Sequence, residues 1–289
     1  MSEQVCKADM GDDGAAVVDT YGYPVATGNA VLDTLEHRSS TRAFARDDDD
    51  RPMAVTDEQR AAILHAASRA PSAGAMMMYS IVSIREQATL DRLADLCDHQ
   101  PMIAKAPWAL IFVVDYAKWI DLFEHVGCFE PEFVERTGKA PRRAPGLGDF
   151  AIAAQDAVIA AQNAVFAAEA LGLGSCYIGD IIENAEEVAE LLDLPPYTMP
   201  LSMLIIGTPR KERPAIAHPV VNLVHEERYC RADAATMDAQ VAEMDAMFRP
   251  HAREVGERVV DIYTRKHTSP FMAEMSRSME WWFKNWLGK

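Results

Sequence analysis

The stretch "DFAIAAQDAVIAAQNAVFAAEALGLG", residues 149 to 174, reads as a helix whose polar positions Gln155, Asp156, Gln162, Asn163 and Glu169 recur near seven-residue intervals. Nearly everything else in it is Ala, Val, Ile, Leu or Phe, so only a narrow stripe is polar. A helix apolar around most of its circumference is buried on several sides, either in a deep core or across a subunit interface. Three apolar, partly β-branched runs are available to pack on it: "YSIVSI" (79–84), "WALIFVVD" (108–115) and "LSMLIIG" (201–207). Helical patterns separate them, which predicts a sheet with helices on both faces.

Working outward, residues 30–36 are helix-like, and a second helix starts at "TDEQ", where Thr56 and Gln59 have capping-box spacing. Ile63, Ala67 and Ala70 share one face of it until Pro71 stops the pattern. Near the C-terminus, Met237, Val241, Met244 and Phe248 mark one amphipathic helix. Phe271, Met275, Met279, Trp282, Phe283 and Trp286 mark another. Their apolar faces require cover from the main body or from a partner subunit.

With 289 residues and 49% hydrophobic content, the chain can bury a substantial core as one large domain or a domain with appendages. A formal charge of −16 argues against a nucleic-acid or anionic-membrane surface. The 5 cysteines are scattered and include no CxxC pair, so neither a disulfide framework nor a metal site is indicated, and a reducing cytoplasm fits best. Residues 1–29 read as a polar leader, acidic where a signal peptide is basic, and no apolar run is expected to span a bilayer. "RDDDDR" (46–51) reads as a solvated loop, since adjacent carboxylates do not converge on one ion unaided.

Two segments could carry chemistry. "HRSSTRAF" (37–44) places Arg38, Ser40 and Arg42 at alternate positions after a helix, so in extended chain they project to one side. Two guanidiniums and a hydroxyl then suit a phosphate or an electron-rich ring edge, although a solvated basic turn has the same pattern. "LGLGSCYIGD" (171–180) has glycines after a helix, whereas a dinucleotide fingerprint follows a strand. It reads as a Gly-rich loop in which Gly174 ends the helix and Gly179 admits a flat ligand. Between them, "RAPSAGAMMMYSIVSI" (69–84) sets Met76, Met77 and Met78 in a loop mouth, as core packing or as part of a pocket wall. No HExxH, GxSxG or Walker sequence occurs.

Taken in order, "RSSTRAF", "APSAG", "AQNAVFAAEALGLG" running into "LGLGSCYIGD", and "MLIIGTP" followed by "VVNLVHEERY" resemble the FMN-dependent nitroreductase family over roughly residues 30–230. Its oxygen-insensitive NAD(P)H branch is the nearest. The resemblance implies an α+β fold with a central mixed β-sheet flanked by helices, in an intertwined homodimer that binds FMN at the subunit interface. With the polar leader read at 1–29, it implies an FMN-binding domain at 30–230, followed by a helical extension at 231–289 that packs on the body or on the partner subunit. Arg38 and Ser40 would hold the FMN phosphate, with Ser39 in the same segment and Arg42 near the pyrimidine edge. Pro71, Ser72 and Ala73 would contribute to the flavin pocket, and Gln100 would meet the ribityl chain. Tyr177, Ile178, Gly179 and Asp180 would form the loop that faces flavin N5.

Two departures matter. Family members often carry Asn after "APSAG" with Gln-Pro-Trp beyond, where this chain has Ala75 to Tyr79. The nearest branch has a Lys-x-Arg pair before "LVHE", where this chain has Ala215 and Ala217. Arg210, Lys211, Arg213 or His218 could supply that charge, with Arg213 taken as the candidate. The implied activity is ping-pong hydride transfer from NAD(P)H through FMN to a small electron-poor acceptor such as a nitroaromatic, quinone or flavin, with no obligatory side-chain acid or base. A specialised enoate reductase or reductive dehalogenase, and a non-catalytic flavin-binding dimer, are the alternatives.

Overall fold

The computed structural model describes residues 28–139, 142–211 and 221–288. In chain order the elements are α1 (Ala30–His37), α2 (Asp57–Ser68), a 3-10 turn (Ala73–Ala75), β1 (Tyr79–Ile84), α3 (Gln87–Leu96) and α4 (Pro101–Ala104). There follow β2 (Trp108–Asp115), α5 (Ala117–His125), α6 (Pro131–Thr137), α7 (Leu147–Ala170), β3 (Gly174–Ile178) and a second 3-10 turn (Gly179–Ile182). The last are α8 (Ala185–Leu191), β4 (Thr198–Gly207), α9 (Ala234–Phe248), α10 (Glu257–Ile262) and α11 (Pro270–Trp286). The described residues form two compact units, one of 28–36 with 221–258, the other of 37–211 with 259–288.

In the larger unit the strand order is β1-β2-β4-β3, with every neighbouring pair antiparallel. The expected mixed character is confined to one isolated parallel bridge, Ser40 to Ser175. All eight residues of β2 are buried, which explains why "WALIFVVD" lacks alternation: helices cover both faces of it. Trp108, Leu110, Phe112 and Val114 face α7 and α2, while Ala109, Ile111 and Val113 face α3, α4, α8 and α11. Trp286 joins the first layer and Trp282 the second, their indoles donating to Gly146 O at 3.1 Å and Ile182 O at 2.9 Å.

The capping box at Thr56 forms as the spacing predicts, with Gln59 N–H donating to the Thr56 hydroxyl at 3.2 Å and Thr56 N–H to the Gln59 side chain at 3.0 Å. α7 runs 24 residues and is apolar enough by length and composition to cross a membrane, which corrects the expectation that no such run exists. Here it is the central helix, its alanines 153, 157, 160, 161, 164 and 168 packed between α2 and the sheet. Small side chains let the helix approach closely, so its average hydropathy reflects core packing. Its outer face leaves Ile152, Val158 and Ile159 about two-fifths to one-half exposed (44%, 49% and 39%).

"LGLGSCYIGD" is not a loop. The helix ends at Ala170 and is closed off by Gly172, whose φ of 72° is left-handed, with Leu173 N–H donating back to Ala168 O at 2.9 Å. Gly174 instead opens β3, pairing with Gly207.

In the smaller unit, Asp233 caps α9 through Thr236 N–H at 2.8 Å, and Asp245 accepts from the backbone of Gly256 and Arg258 at 2.5 and 2.9 Å. Arg213 and His218 lie outside the described residues.

Candidate functional site at the sheet edge

The segment "RSSTRAF" runs extended along the outer strand. Thr41 N–H donates to Ser175 O at 2.8 Å, Ala45 N–H to Thr208 O at 2.8 Å, and Arg210 N–H to Ala43 O at 3.1 Å. With the chain pinned on both sides, alternation does the rest. Ser39, Thr41 and Phe44 are buried, while Arg38 and Ser40 are half-buried and Arg42 is exposed.

The two guanidiniums act on one neighbourhood. Burial raises the Cys176 thiol above its ordinary value, and Arg42, a hydrogen bond with Ser40, and Arg38 all oppose that rise. Burial pushes the Tyr177 phenol up to about 12, again against the charge of Arg38. Among the described residues, neither Arg38 nor Arg42 pairs with a carboxylate. The Thr41 hydroxyl is buried with no hydrogen-bond partner among them. In a chain of net charge −16, two arginines without a carboxylate partner among the described residues, beside a hydroxyl, have the chemistry to attract an anion.

Gly179 follows β3 directly. A Cβ built there meets nothing within 4 Å, and its φ is not left-handed, so neither the backbone nor the surrounding protein demands glycine. A flat ligand approaching the backbone does demand it. Next to it, Gln100 donates its amide N–H to Asp180 at 2.6 Å, so the two resemblance-derived positions are tied to each other. Gln100 reaches there after two left-handed residues, Asp98 and His99 at φ 54° and 50°. Glu183 sits beneath, 4% exposed, and burial together with Asp180, Asp98 and Glu274 pushes its carboxyl up to about 7.

Pro71, Ser72 and Ala73 lead a strained loop in which Gly74, Ala75 and Met77 are left-handed at φ 58°, 56° and 49°. Four anchors hold it. Asp156, 2% exposed on α7, accepts Ala73 N–H at 2.9 Å and Met78 N–H at 3.2 Å. The Ser72 hydroxyl accepts Met77 N–H at 3.1 Å, and the Trp119 indole donates to Met76 O at 2.9 Å. The three methionines divide: Met78 is core, Met76 packs against the core, and Met77 is 37% exposed. This loop and the Arg38 segment do not bond directly among the described residues; α7 links them, since Gln162 accepts from the Tyr177 hydroxyl at 3.3 Å.

Asp156, Trp119 and Glu183 escape a reading by motif. The signal for Asp156 was the seven-residue polar recurrence: Asn163, one heptad on, likewise turns inward and donates to Ala66 O at 3.1 Å. Nothing in the sequence singles out Glu183, whose environment is assembled from α11 and the turn after α3.

The fold is that of an α+β protein with two arginines set along the outer strand of one antiparallel sheet. The Nitroreductase family's sequence profile matches residues 35–208, and the chain belongs to that family. An FMN reductase [NAD(P)H] of Bacillus subtilis is 32% identical over 215 residues, covering 73% of this chain and 79% of the relative. An oxygen-insensitive NADPH nitroreductase of Salmonella typhimurium is 33% identical, over 65% of this chain and 74% of its own. Among solved structures, the NADPH:FMN oxidoreductase from Vibrio harveyi, complexed with NAD+, superposes with a TM-score of 0.66 at 25% identity, covering 86% of this chain and 97% of that one.

Proposed function

We propose that this chain is an FMN-dependent NAD(P)H oxidoreductase. The reading is supported above all by the gathering of Arg38, Ser40 and Arg42 against β3 at Ser175–Tyr177, the strand that leads into the open backbone at Gly179. FMN, when bound, supplies a ring nitrogen that accepts hydride from NAD(P)H and delivers it to an electron-poor acceptor. Arg38 and Ser40 hold the phosphate by charge-assisted hydrogen bonds, and Arg42 favours negative charge at the pyrimidine edge. The Gly179–Asp180 backbone would lie against the bound flavin, with Asp180 held by Gln100, and the Pro71–Ala73 loop would contribute to the pocket. Donor and acceptor use the same opening in turn, which is ping-pong kinetics. Nitroaromatics, quinones and free flavins fit as acceptors.

The partly exposed apolar face of α7 supports a homodimer, in which a second copy would cover Ile152, Val158 and Ile159. Free Cys97, Cys128, Cys176 and Cys230 fit a reducing cytoplasm.

Adding NADPH or NADH to FMN-loaded protein without oxygen should bleach the visible flavin absorbance, and a nitroaromatic or quinone should restore it. Failure to bleach would leave a non-catalytic flavin-binding dimer. Ala75 and Met77 at the loop mouth favour a second reading, a specialised enoate reductase or reductive dehalogenase. Bleaching reversed by an enone or haloarene, and only slowly by nitroaromatics, would select it.

A further inference from the structure

The segment between β2 and α7 builds a second cavity, of about 350 Å³, that shares no residue with the Arg38–Asp180 group. Its wall is aromatic: Phe123 meets Phe129 edge-on with centroids 6.3 Å apart, and Phe133 closes one side. Such a volume falls within the range of small-molecule sites, and edge-to-face rings leave slots for another flat ring. The mouth is basic. Arg136, Lys139, Arg142 and Arg143 fall within eight residues of a chain whose net charge is −16.

The four cations are not equivalent. Arg143 is fully engaged, its two terminal nitrogens on Asp149 at 2.6 and 2.9 Å, and this pair holds Asp149 below the usual carboxylate range. Arg136 lies over Phe133 at 5.2 Å and is not among the cavity's lining residues. Arg142 lies over the Phe129 ring at 5.1 Å, and its only carboxylate neighbour among the described residues is Glu124 at 3.7 Å, a loose pair with both side chains half exposed. Its guanidinium is therefore oriented by the ring and free to bind a better-placed anion at the cavity mouth. Tyr116 lines the inner end.

We propose that this cavity is an auxiliary site for a planar aromatic carboxylate: the ring enters among Phe123, Phe129 and Phe133, and the carboxylate takes the fork of Arg142. The site does not depend on the redox reading. Phe123 also packs on Trp119 at 5.6 Å, and Trp119 holds Met76 O, so an occupant here would touch a ring that packs on one anchor of the methionine loop.

Calorimetry of the FMN-loaded full chain with 2-naphthoate, and with neutral 2-naphthamide as control, tests the assignment. One naphthoate per chain is expected, bound at least tenfold more tightly than the amide. Arg142→Gln should abolish that preference, and Phe133→Ala should weaken both ligands. Arg42→Ala, at the other site, should leave naphthoate affinity unchanged. Absence of naphthoate binding, equal affinity for the amide, full affinity in Arg142→Gln, or loss in Arg42→Ala would each overturn the proposal. None of these readouts requires hydride transfer, so failure of the oxidoreductase reading would register separately.

Discussion

The carboxylate of Asp156, on the central helix, accepts the backbone N–H of Met78 at 3.2 Å while its other oxygen accepts that of Ala73 at 2.9 Å. One buried anion thereby closes a loop containing three left-handed residues. Asp156→Asn presents an amide N–H to one of those donors. The expected loss is about 1.5–3 kcal/mol, the size of a hydrogen bond to a charged group. Denaturant unfolding would measure it, and FMN affinity should fall in parallel.

Arg38→Ala removes one of two uncompensated cations at the sheet edge. FMN retention should weaken by roughly 1.5–3 kcal/mol, the value of a charge-assisted contact. Equilibrium dialysis followed by flavin fluorescence reads it directly, and unchanged occupancy would remove Arg38 from the site.

Gly179→Val separates ligand effects from folding. Because a Cβ there meets nothing within 4 Å, thermal stability should stay within about 0.5 kcal/mol of wild type. Flavin reduction by NADPH in a stopped-flow experiment should slow markedly, and a normal rate would contradict the placement of this backbone against the flavin.

Gly207→Ala tests packing. Its Cβ would lie 2.7 Å from Pro107 Cγ and 2.8 Å from Phe44 Cδ1, so β4 or the Phe44 segment must shift. Overpacking of this kind costs about 1–3 kcal/mol, read as a lowered denaturant midpoint.

Glu183 has its folded-state carboxyl raised from 4.5 to about 7, so the native state holds a proton that the unfolded chain has released across that interval. Stability attributable to this group is therefore greatest below pH 4.5 and declines as pH rises to 7. Glu183→Gln keeps the neutral form at every pH. It should match wild type near pH 4 and exceed it by roughly 2–3 kcal/mol near pH 8. Melting temperatures at the two pH values would decide; a variant less stable at both would refute the sign.

Much of this architecture is legible in local patterns. The all-buried run of β2, the capping box at Thr56 and the Ala-rich α7 each announce themselves through periodicity or spacing. β3 does not, because "GSCYI" is short, begins with glycine and gains its strand character from pairing with β4. The alternation of Arg38, Ser40 and Arg42 could be read from sequence, but the strand they lie beside could not. Asp156 draws its partners from residues 78 or more positions away, and Glu183 owes its shift to burial and to Asp98 and Glu274 as well as to nearby Asp180, so no local window contains the whole of that information. The end of α7 is ambiguous in sequence because Gly172 and Gly174 are both plausible stops, and only Gly172, just past the last helical residue Ala170, adopts the left-handed turn.

The Ser40–Ser175 bridge has a consequence for how the chain behaves among its neighbours. β3 is a terminal strand of the sheet, and without a cover its outer carbonyls and amides would offer a template to any other extended polypeptide. Thr41 and its flanking residues occupy part of that template. Proteolytic loss of the stretch before Phe44 would therefore bare a row of main-chain groups as well as delete two arginines, and strand-to-strand association would compete with refolding.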